Sequence, residues 1–92
     1  MATLHIPTPL RAYTHGQAAV VVAGTTVGEA LAALTHAHPE LTKHLRDASG
    51  KLRSFVNVYV GDEDIRFLER EETPIGESTE ITIVPSIAGG AR

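Results

Sequence analysis

The sequence predicts one α+β domain of the β-grasp type, in which one main helix packs on a mixed sheet of four or five strands. Three observations lead to this prediction. A chain of 92 residues is too short to close two separate cores. The apolar spacing changes from strand-like alternation to helical spacing and back to alternation. One helix lying between two groups of strands can bury its apolar side only against a sheet, although other α+β arrangements share this element order.

The N-terminal part predicts a β-hairpin. Residues 3–7, TLHIP, alternate apolar and polar side chains, as a half-buried strand does. Residues 8–17 contain a proline and a glycine and are therefore predicted to form a loop. Residues 18–23, AAVVVA, are rich in β-branched side chains and predict the returning strand.

The main helix is predicted to begin after Thr26 and to run to about His38. Glu29 follows Thr26 by three positions, which is the pattern of a capping box. In that motif the threonine hydroxyl accepts the third helical N–H, and the glutamate accepts the amide of the threonine. Apolar residues then recur at helical spacing, and Pro39 can begin a further short helical stretch.

The C-terminal half predicts the remaining strands. Residues 55–60, FVNVYV, give the strongest strand signal, because they are rich in β-branched and aromatic side chains. Residues 61–64 are predicted to form a polar turn, and residues 65–68, IRFL, a short strand. Residues 69–79 form a charged loop. Residues 80–85, EITIVP, are the last strand, which a β-grasp arrangement inserts beside the first.

Composition excludes several classes of function. Apolar residues make up 42% of the chain and the formal net charge is −3, which fits a soluble globular domain and disfavours a nucleic-acid partner. No apolar run is long enough to cross a bilayer, and the N-terminus lacks a signal-peptide pattern, so we expect a cytoplasmic protein with no membrane partner. The absence of cysteine excludes disulfides, thiolate metal sites and cysteine nucleophiles.

The sequence predicts no metal site and no catalytic residue. His36 and His38 are two positions apart and would point away from each other on a helix. The five histidines are therefore interpreted as surface residues.

The acidic stretch at 62–66, DEDIR, lacks the spacing of a calcium loop and is interpreted as a solvated turn. Residues 69–72, EREE, are interpreted as an exposed loop that could meet a basic partner surface. No phosphate-binding loop or nucleophile–histidine–acid set is present, so we expect a protein that is not an enzyme.

Three stretches of the sequence resemble the ubiquitin-like sulfur carrier proteins of the MoaD/ThiS family, and most of all the branch that serves cysteine biosynthesis. The stretches are IPTPLR at 6–11, GKLRSFVNVYVGDEDIRF at 50–67 and STEITIVPSIAGG at 78–90. The last is the most informative, since these carriers end with a strand, a proline and two glycines. The resemblance implies a ubiquitin-like β-grasp domain over residues 1–86 and a flexible tail over residues 87–92.

The resemblance also implies a chemistry based on the backbone terminus. An ATP-dependent, E1-like adenylating enzyme would activate the carboxylate of Gly90, which is then converted to a thiocarboxylate. A pyridoxal-phosphate-dependent, cysteine-synthase-like enzyme would accept the sulfur. The carrier binds no cofactor of its own in this scheme, and ATP is consumed by the partner. Because Gly89 and Gly90 have no Cβ, they can pass through a narrow channel in a partner.

Ala91 and Arg92 depart from the pattern of carriers that end at the second glycine. The carrier function therefore requires cleavage between Gly90 and Ala91, for which the resemblance implies a JAMM-type metallopeptidase. Two alternatives stay open. The chain could be the small subunit of a molybdopterin synthase, or a ubiquitin-like modifier that is conjugated to lysines.

The last strand also predicts a docking residue. Ile81 and Ile83 share one face of this strand, so Val84 lies on the opposite face. An apolar residue on that face, just before the tail, suits a docking patch for the adenylating enzyme. Ile87 and Ala88 are assigned to the same patch.

Overall fold

The computed structural model describes residues 1–85, and within them it shows a five-stranded mixed sheet with the order β2-β1-β5-β3-β4. The strands are β1 (Ala2–His5), β2 (Ala19–Val22), β3 (Val56–Val60), β4 (Glu63–Asp64) and β5 (Glu80–Pro85). The helices are α1 (Val27–Ala37) and α2 (Thr42–Leu45), with 3-10 helices at Thr8–Thr14, Pro39–Leu41, Ile65–Phe67 and Arg70–Glu72. The predicted boundary between a domain ending at residue 86 and a tail over 87–92 lies outside the described residues.

The centre of the sheet confirms the predicted β-grasp arrangement. Strand β5 lies between β1 and β3, parallel to β1 and antiparallel to β3. Leu4 of β1 pairs with Ile81, and Val58 of β3 pairs with Ile83. Strands β1 and β2 form the predicted antiparallel hairpin. Its connection is a 3-10 helix over most of its length, and not the irregular loop that the sequence predicts.

Helix α1 begins as predicted, with one shift in its cap. The Thr26 hydroxyl accepts the backbone N–H of Glu29 at 3.1 Å. The Glu29 carboxylate accepts the backbone N–H of Thr25 at 2.8 Å and the Thr25 hydroxyl at 2.9 Å, one residue before the predicted partner. These bonds favour the ionised carboxylate, the backbone one most, and they lower the pKa of Glu29.

The core lies between the helices and one face of the sheet. The buried side of α1 consists of Val27, Ala30, Leu31 and Leu34, and the sheet contributes Leu4, Val58, Ile81 and Ile83. Leu41 and Leu45 extend this core beyond α1. Each fully buried Leu or Ile side chain contributes roughly 1.5–3 kcal/mol relative to exposure, so the helix side of the sheet supplies most of the stability.

The segment between β3 and β5 differs from its prediction. Residues 65–68 are not a strand, because Asp64 accepts the backbone N–H of Arg66 at 2.8 Å and begins a 3-10 turn. The predicted polar turn instead supplies the two residues of β4, which pair with β3. Ile65 is buried in the core, whereas Phe67 is 85% exposed. In a strand, Ile65 and Phe67 would share one face. The 3-10 turn instead buries Ile65 and exposes Phe67.

Candidate docking face

Strand β5 fixes the place where the chain leaves the sheet. Val84 pairs with Asn57 and Pro85 pairs with Val56, so β5 is held by β3 up to its last residue. Gly89, Gly90, Ala91, Ile87 and Ala88, the predicted terminus, processing site and accompanying docking residues, lie outside the described residues.

The face of the sheet opposite the helices is open to solvent. It carries alternate residues of β1, β2, β3 and β5, namely Thr3, His5, Ala19, Val21, Asn57, Tyr59, Glu80, Thr82 and Val84. Val84 is 39% exposed and Val21 is 60% exposed. The predicted outward orientation of Val84 is thus confirmed, and its role in docking stays a prediction. We call this set of residues the open face.

One edge of the open face is held by a charged network. Arg66 donates from Nη2 to Oδ2 of Asp64 at 2.7 Å and to Oδ1 of Asn57 at 2.9 Å. The side-chain bonds from Arg66, followed by its backbone N–H, lower the pKa of Asp64. Asp64 is only 7% exposed, so the interpretation of residues 62–66 as a solvated turn is wrong at this position. The network orders the side chain next to Val84.

A second ion pair lies on the helix side. The guanidinium of Arg46 donates to both carboxylate oxygens of Glu71, at 2.7 and 3.0 Å. This two-pronged bond raises the pKa of Arg46. Glu71 belongs to the stretch that the sequence assigns to an exposed loop, but it is half-buried and joins that segment to the end of α2. The 25-residue separation of the two residues gives no signal in the sequence.

The histidines also differ in part from their prediction. His15 and His36 are exposed, whereas His44 is half-buried and stacks on Tyr13 with ring centroids 4.4 Å apart. The rings of His15 and His38 lie 5.7 Å apart. Within residues 1–85, no group of three or more His, Asp or Glu side chains is arranged to hold a metal ion. In the same part of the chain, no helix has both the length and the apolar character needed to cross a bilayer.

The strand order and the exit of β5 toward a glycine pair define a ubiquitin-like β-grasp protein. The chain belongs to the ThiS family, whose model matches residues 4–90 and so includes Gly89 and Gly90. It is 42% identical to the sulfur carrier protein CysO of Mycobacterium tuberculosis, over 96% of this chain and 97% of that protein.

Solved structures agree with this assignment. The chain matches a structure of the Amycolatopsis orientalis BexX/CysO complex with a TM-score of 0.88 and 38% identity, covering 98% of this chain and 100% of the other. It also matches the small archaeal modifier protein 1 of Methanosarcina acetivorans with a TM-score of 0.88 and 26% identity, covering 97% of this chain and 95% of that one. The predicted fold and family are therefore confirmed, and this chain is a homologue of sulfur carrier proteins.

Proposed function

We propose that this chain is a sulfur carrier protein whose Gly90 carries sulfide as a thiocarboxylate after Ala91 and Arg92 have been removed. The observation that carries the proposal is the family match, which is continuous from the β-grasp domain through both glycines. The identity to a sulfur carrier protein over nearly the whole chain supports it. The cysteine-biosynthetic branch is proposed because that relative bears the name CysO.

The chemistry explains why a partner and ATP are needed. A carboxylate resists nucleophilic attack, because it is negatively charged and has no good leaving group. When a Gly90 carboxylate oxygen attacks the α-phosphorus of ATP, pyrophosphate leaves and an acyl-adenylate forms. Hydrosulfide then attacks the carbonyl carbon, AMP leaves, and a proton is released as the thiocarboxylate forms. The carrier supplies the reacting terminus, and the E1-like partner supplies the catalytic groups.

The described residues support delivery of that terminus. Ordering each residue of a backbone segment costs about 1–2 kcal/mol, and docking of the folded domain can offset this cost. The open face offers Val84 for such a contact, next to the last residue of β5. Once the domain is docked, the terminus reacts as if at a raised local concentration. We place the docking site for the adenylating enzyme here, with Ile87 and Ala88 continuing it.

The later steps complete the proposal. A pyridoxal-phosphate-dependent, cysteine-synthase-like enzyme accepts the sulfur. A JAMM-type metallopeptidase acts twice: it hydrolyses the bond between Gly90 and Ala91 before activation, and after sulfur transfer it hydrolyses the amide bond that then joins Gly90 to the product. The carrier itself holds no cofactor in this scheme.

Intact-mass spectrometry tests the proposal. The chain ending at Gly90 is incubated with ATP, sulfide and the adenylating enzyme from its own host. We expect the mass change of one oxygen replaced by sulfur. The chain that keeps Ala91 and Arg92 is the matched control and should not change. No sulfur in the trimmed chain, or equal sulfur in both chains, would refute the proposal.

A second candidate function is protein modification. The match to the small archaeal modifier protein 1 is as close in structure as the match to the CysO complex. A modifier would form isopeptide bonds between Gly90 and target lysines. A ladder of heavier conjugates in extracts of the native host, absent when Gly90 is deleted, would favour this function over sulfur transfer.

A further inference from the structure

A cavity of about 460 Å³ lies on the helix side of β3, between the residues that precede this strand and those that follow β4. Its floor is apolar and is formed by Leu52, Val56, Val58 and Ile65. Its rim carries three cations, Lys51, Arg53 and Arg70. The floor of the cavity is on the opposite side of the sheet from the open face, and the two sites share only the Asp64–Arg66 pair at the edge of the sheet.

The lining of this cavity carries an excess of positive charge, although the whole chain has a net charge of −3. Its two carboxylates, Asp64 and Glu71, are already bonded to Arg66 and Arg46. Within residues 1–85, no carboxylate lies within salt-bridge distance of the three rim cations. An anion that also has apolar parts would therefore complement the cavity.

One rim cation is held in an uncommon backbone conformation. Arg70 has a φ of 55°, in the left-handed region that non-glycine residues rarely adopt. Thr73 holds this turn, since its hydroxyl donates to the Arg70 carbonyl at 2.7 Å and accepts the Glu69 N–H at 3.0 Å. Thr73 is itself buried. The surrounding turn keeps this conformation and places Arg70 at the rim.

The end of β5 lies beside this cavity. Pro85 pairs directly with Val56, and residues that are opposite each other in a sheet share a face. Val56 lines the cavity, so Pro85 is on the cavity side. An extended chain spans at most about 3.6 Å per residue, so Gly90 can reach roughly 18 Å from Pro85. The chain's own C-terminal carboxylate is thus an anion within reach of the rim.

We propose that the C-terminal segment, residues 86–92, binds back into this cavity between encounters with partners, with its terminal carboxylate at the cationic rim. Ile87 provides the apolar side chain that the floor accepts. In the full chain the guanidinium of Arg92 opposes the carboxylate, so the form ending at Gly90 binds more strongly. For the thiocarboxylate, which rests on the function proposed above, this site shields the sulfur from unwanted electrophiles.

Nuclear magnetic resonance of the isotope-labelled protein tests this proposal. Backbone amide spectra are compared for the full chain, the chain ending at Gly90 with a free carboxylate, and the same chain with a C-terminal amide. We expect shift differences between the carboxylate and the amide in residues 51–54 and 65–70. The full chain should show smaller differences from the amide. The differences should not depend on protein concentration, because the contact is within one molecule.

Substitutions of the rim sharpen the test. Lys51→Gln and Arg70→Gln should each remove most of the difference between carboxylate and amide. Lys43→Gln is the matched control, because Lys43 and Lys51 are the chain's two lysines and Lys43 does not line this cavity. The Lys43 carbonyl, which accepts the Arg53 Nε–H at 2.9 Å, is kept in this variant. It should leave the difference unchanged.

Three results would overturn the proposal: equal spectra for carboxylate and amide, a difference that survives both rim substitutions, or shifts that grow with concentration and so indicate a second copy. The carboxylate–amide comparison changes no side chain, so it stands even if a rim variant unfolds. No ATP, sulfur or partner enzyme is present in this experiment. Its failure is therefore distinct from a failure to form the thiocarboxylate.

Discussion

Ile83 and Val84 are neighbours in β5, but they lie on opposite faces of the sheet. Ile83 is 2% exposed and packs against the helix side, whereas Val84 is 39% exposed on the open face. The two residues are similar in chemistry and both are β-branched. The helix side of the sheet therefore maintains the fold, whereas the open face is exposed to solvent. Substitutions on the two faces test this division.

Truncation on the helix side should have the largest effect. Ile83→Ala is expected to lower the free energy of unfolding by about 2–5 kcal/mol, because it leaves a cavity in a packed core. Urea denaturation followed by circular dichroism measures this change. Val84→Ala in the same strand is the control and should cost less than about 1 kcal/mol. Equal losses for the two variants would contradict the division between the faces.

The ion pair on the helix side should come next. Glu71→Ala removes the carboxylate that Arg46 binds with two hydrogen bonds, and we expect a loss of about 1–2 kcal/mol in the free energy of unfolding. The same denaturation experiment measures it. Glu72→Ala removes the adjacent, exposed carboxylate and should change stability by less than about 0.5 kcal/mol. If the two variants are equally stable, the pair does not hold the segment to α2.

The cap of α1 should contribute a smaller amount. Thr26→Ala removes the hydroxyl that accepts the Glu29 N–H, and a loss of about 1 kcal/mol is expected. Thr26→Ser keeps the hydroxyl and should retain most of the stability. Thermal unfolding compares the three proteins. If Thr26→Ala unfolds at the same temperature as the parent protein, another group accepts the Glu29 N–H.

Asp64 should make the stability depend on pH. Its pKa is lowered in the folded state, so its contribution is present above the pKa of the unfolded chain and is lost as the pH falls through the folded value. Asp64→Asn removes this titration while keeping a polar side chain. We expect the variant to lose less stability than the parent between pH 5 and pH 2, which denaturation at several pH values measures. Parallel pH curves for the two proteins would argue against the Arg66 bond in solution.

The open face should show the smallest effect on stability and the clearest effect on function. Val84→Asp changes an exposed residue, so the free energy of unfolding should change by less than about 1 kcal/mol. The desolvated charge should nevertheless weaken docking at least about tenfold, seen as a higher carrier concentration needed for half-maximal thiocarboxylate formation. Thr42→Asp, exposed at the start of α2 on the helix side of the sheet, is the control. Normal turnover with Val84→Asp would place the docking site elsewhere.

The sequence predicts the strands and α1 well because each of them has a local signal. Alternation places Ile83 and Val84 on opposite faces, and Thr26 with Glu29 marks the start of α1. In the segment between residues 61 and 72, the local signal comes from Asp64, because its carboxylate accepts the N–H two residues further on. Strand β4 forms because it pairs with β3. The first 3-10 turn depends on Asp64, and the second is held by the bond between Glu71 and the distant Arg46.

The candidate site divides in the same way. The glycine pair and Val84 can be found from a motif and from alternation. The Arg46–Glu71 pair and the cavity beside Pro85 cannot be found in this way, because their residues come from separate parts of the chain. Local patterns show which residues face outward, but only the tertiary structure shows which of them are neighbours.

The central place of β5 also has a consequence for biosynthesis. Strand β5 fills the gap between β1 and β3, so a nascent chain that has not reached residue 80 holds its sheet in two unjoined parts. Closing that gap pairs the first strand with the last. This contact forms slowly, because its residues are far apart in the sequence. The domain therefore completes its sheet only after translation has passed β5.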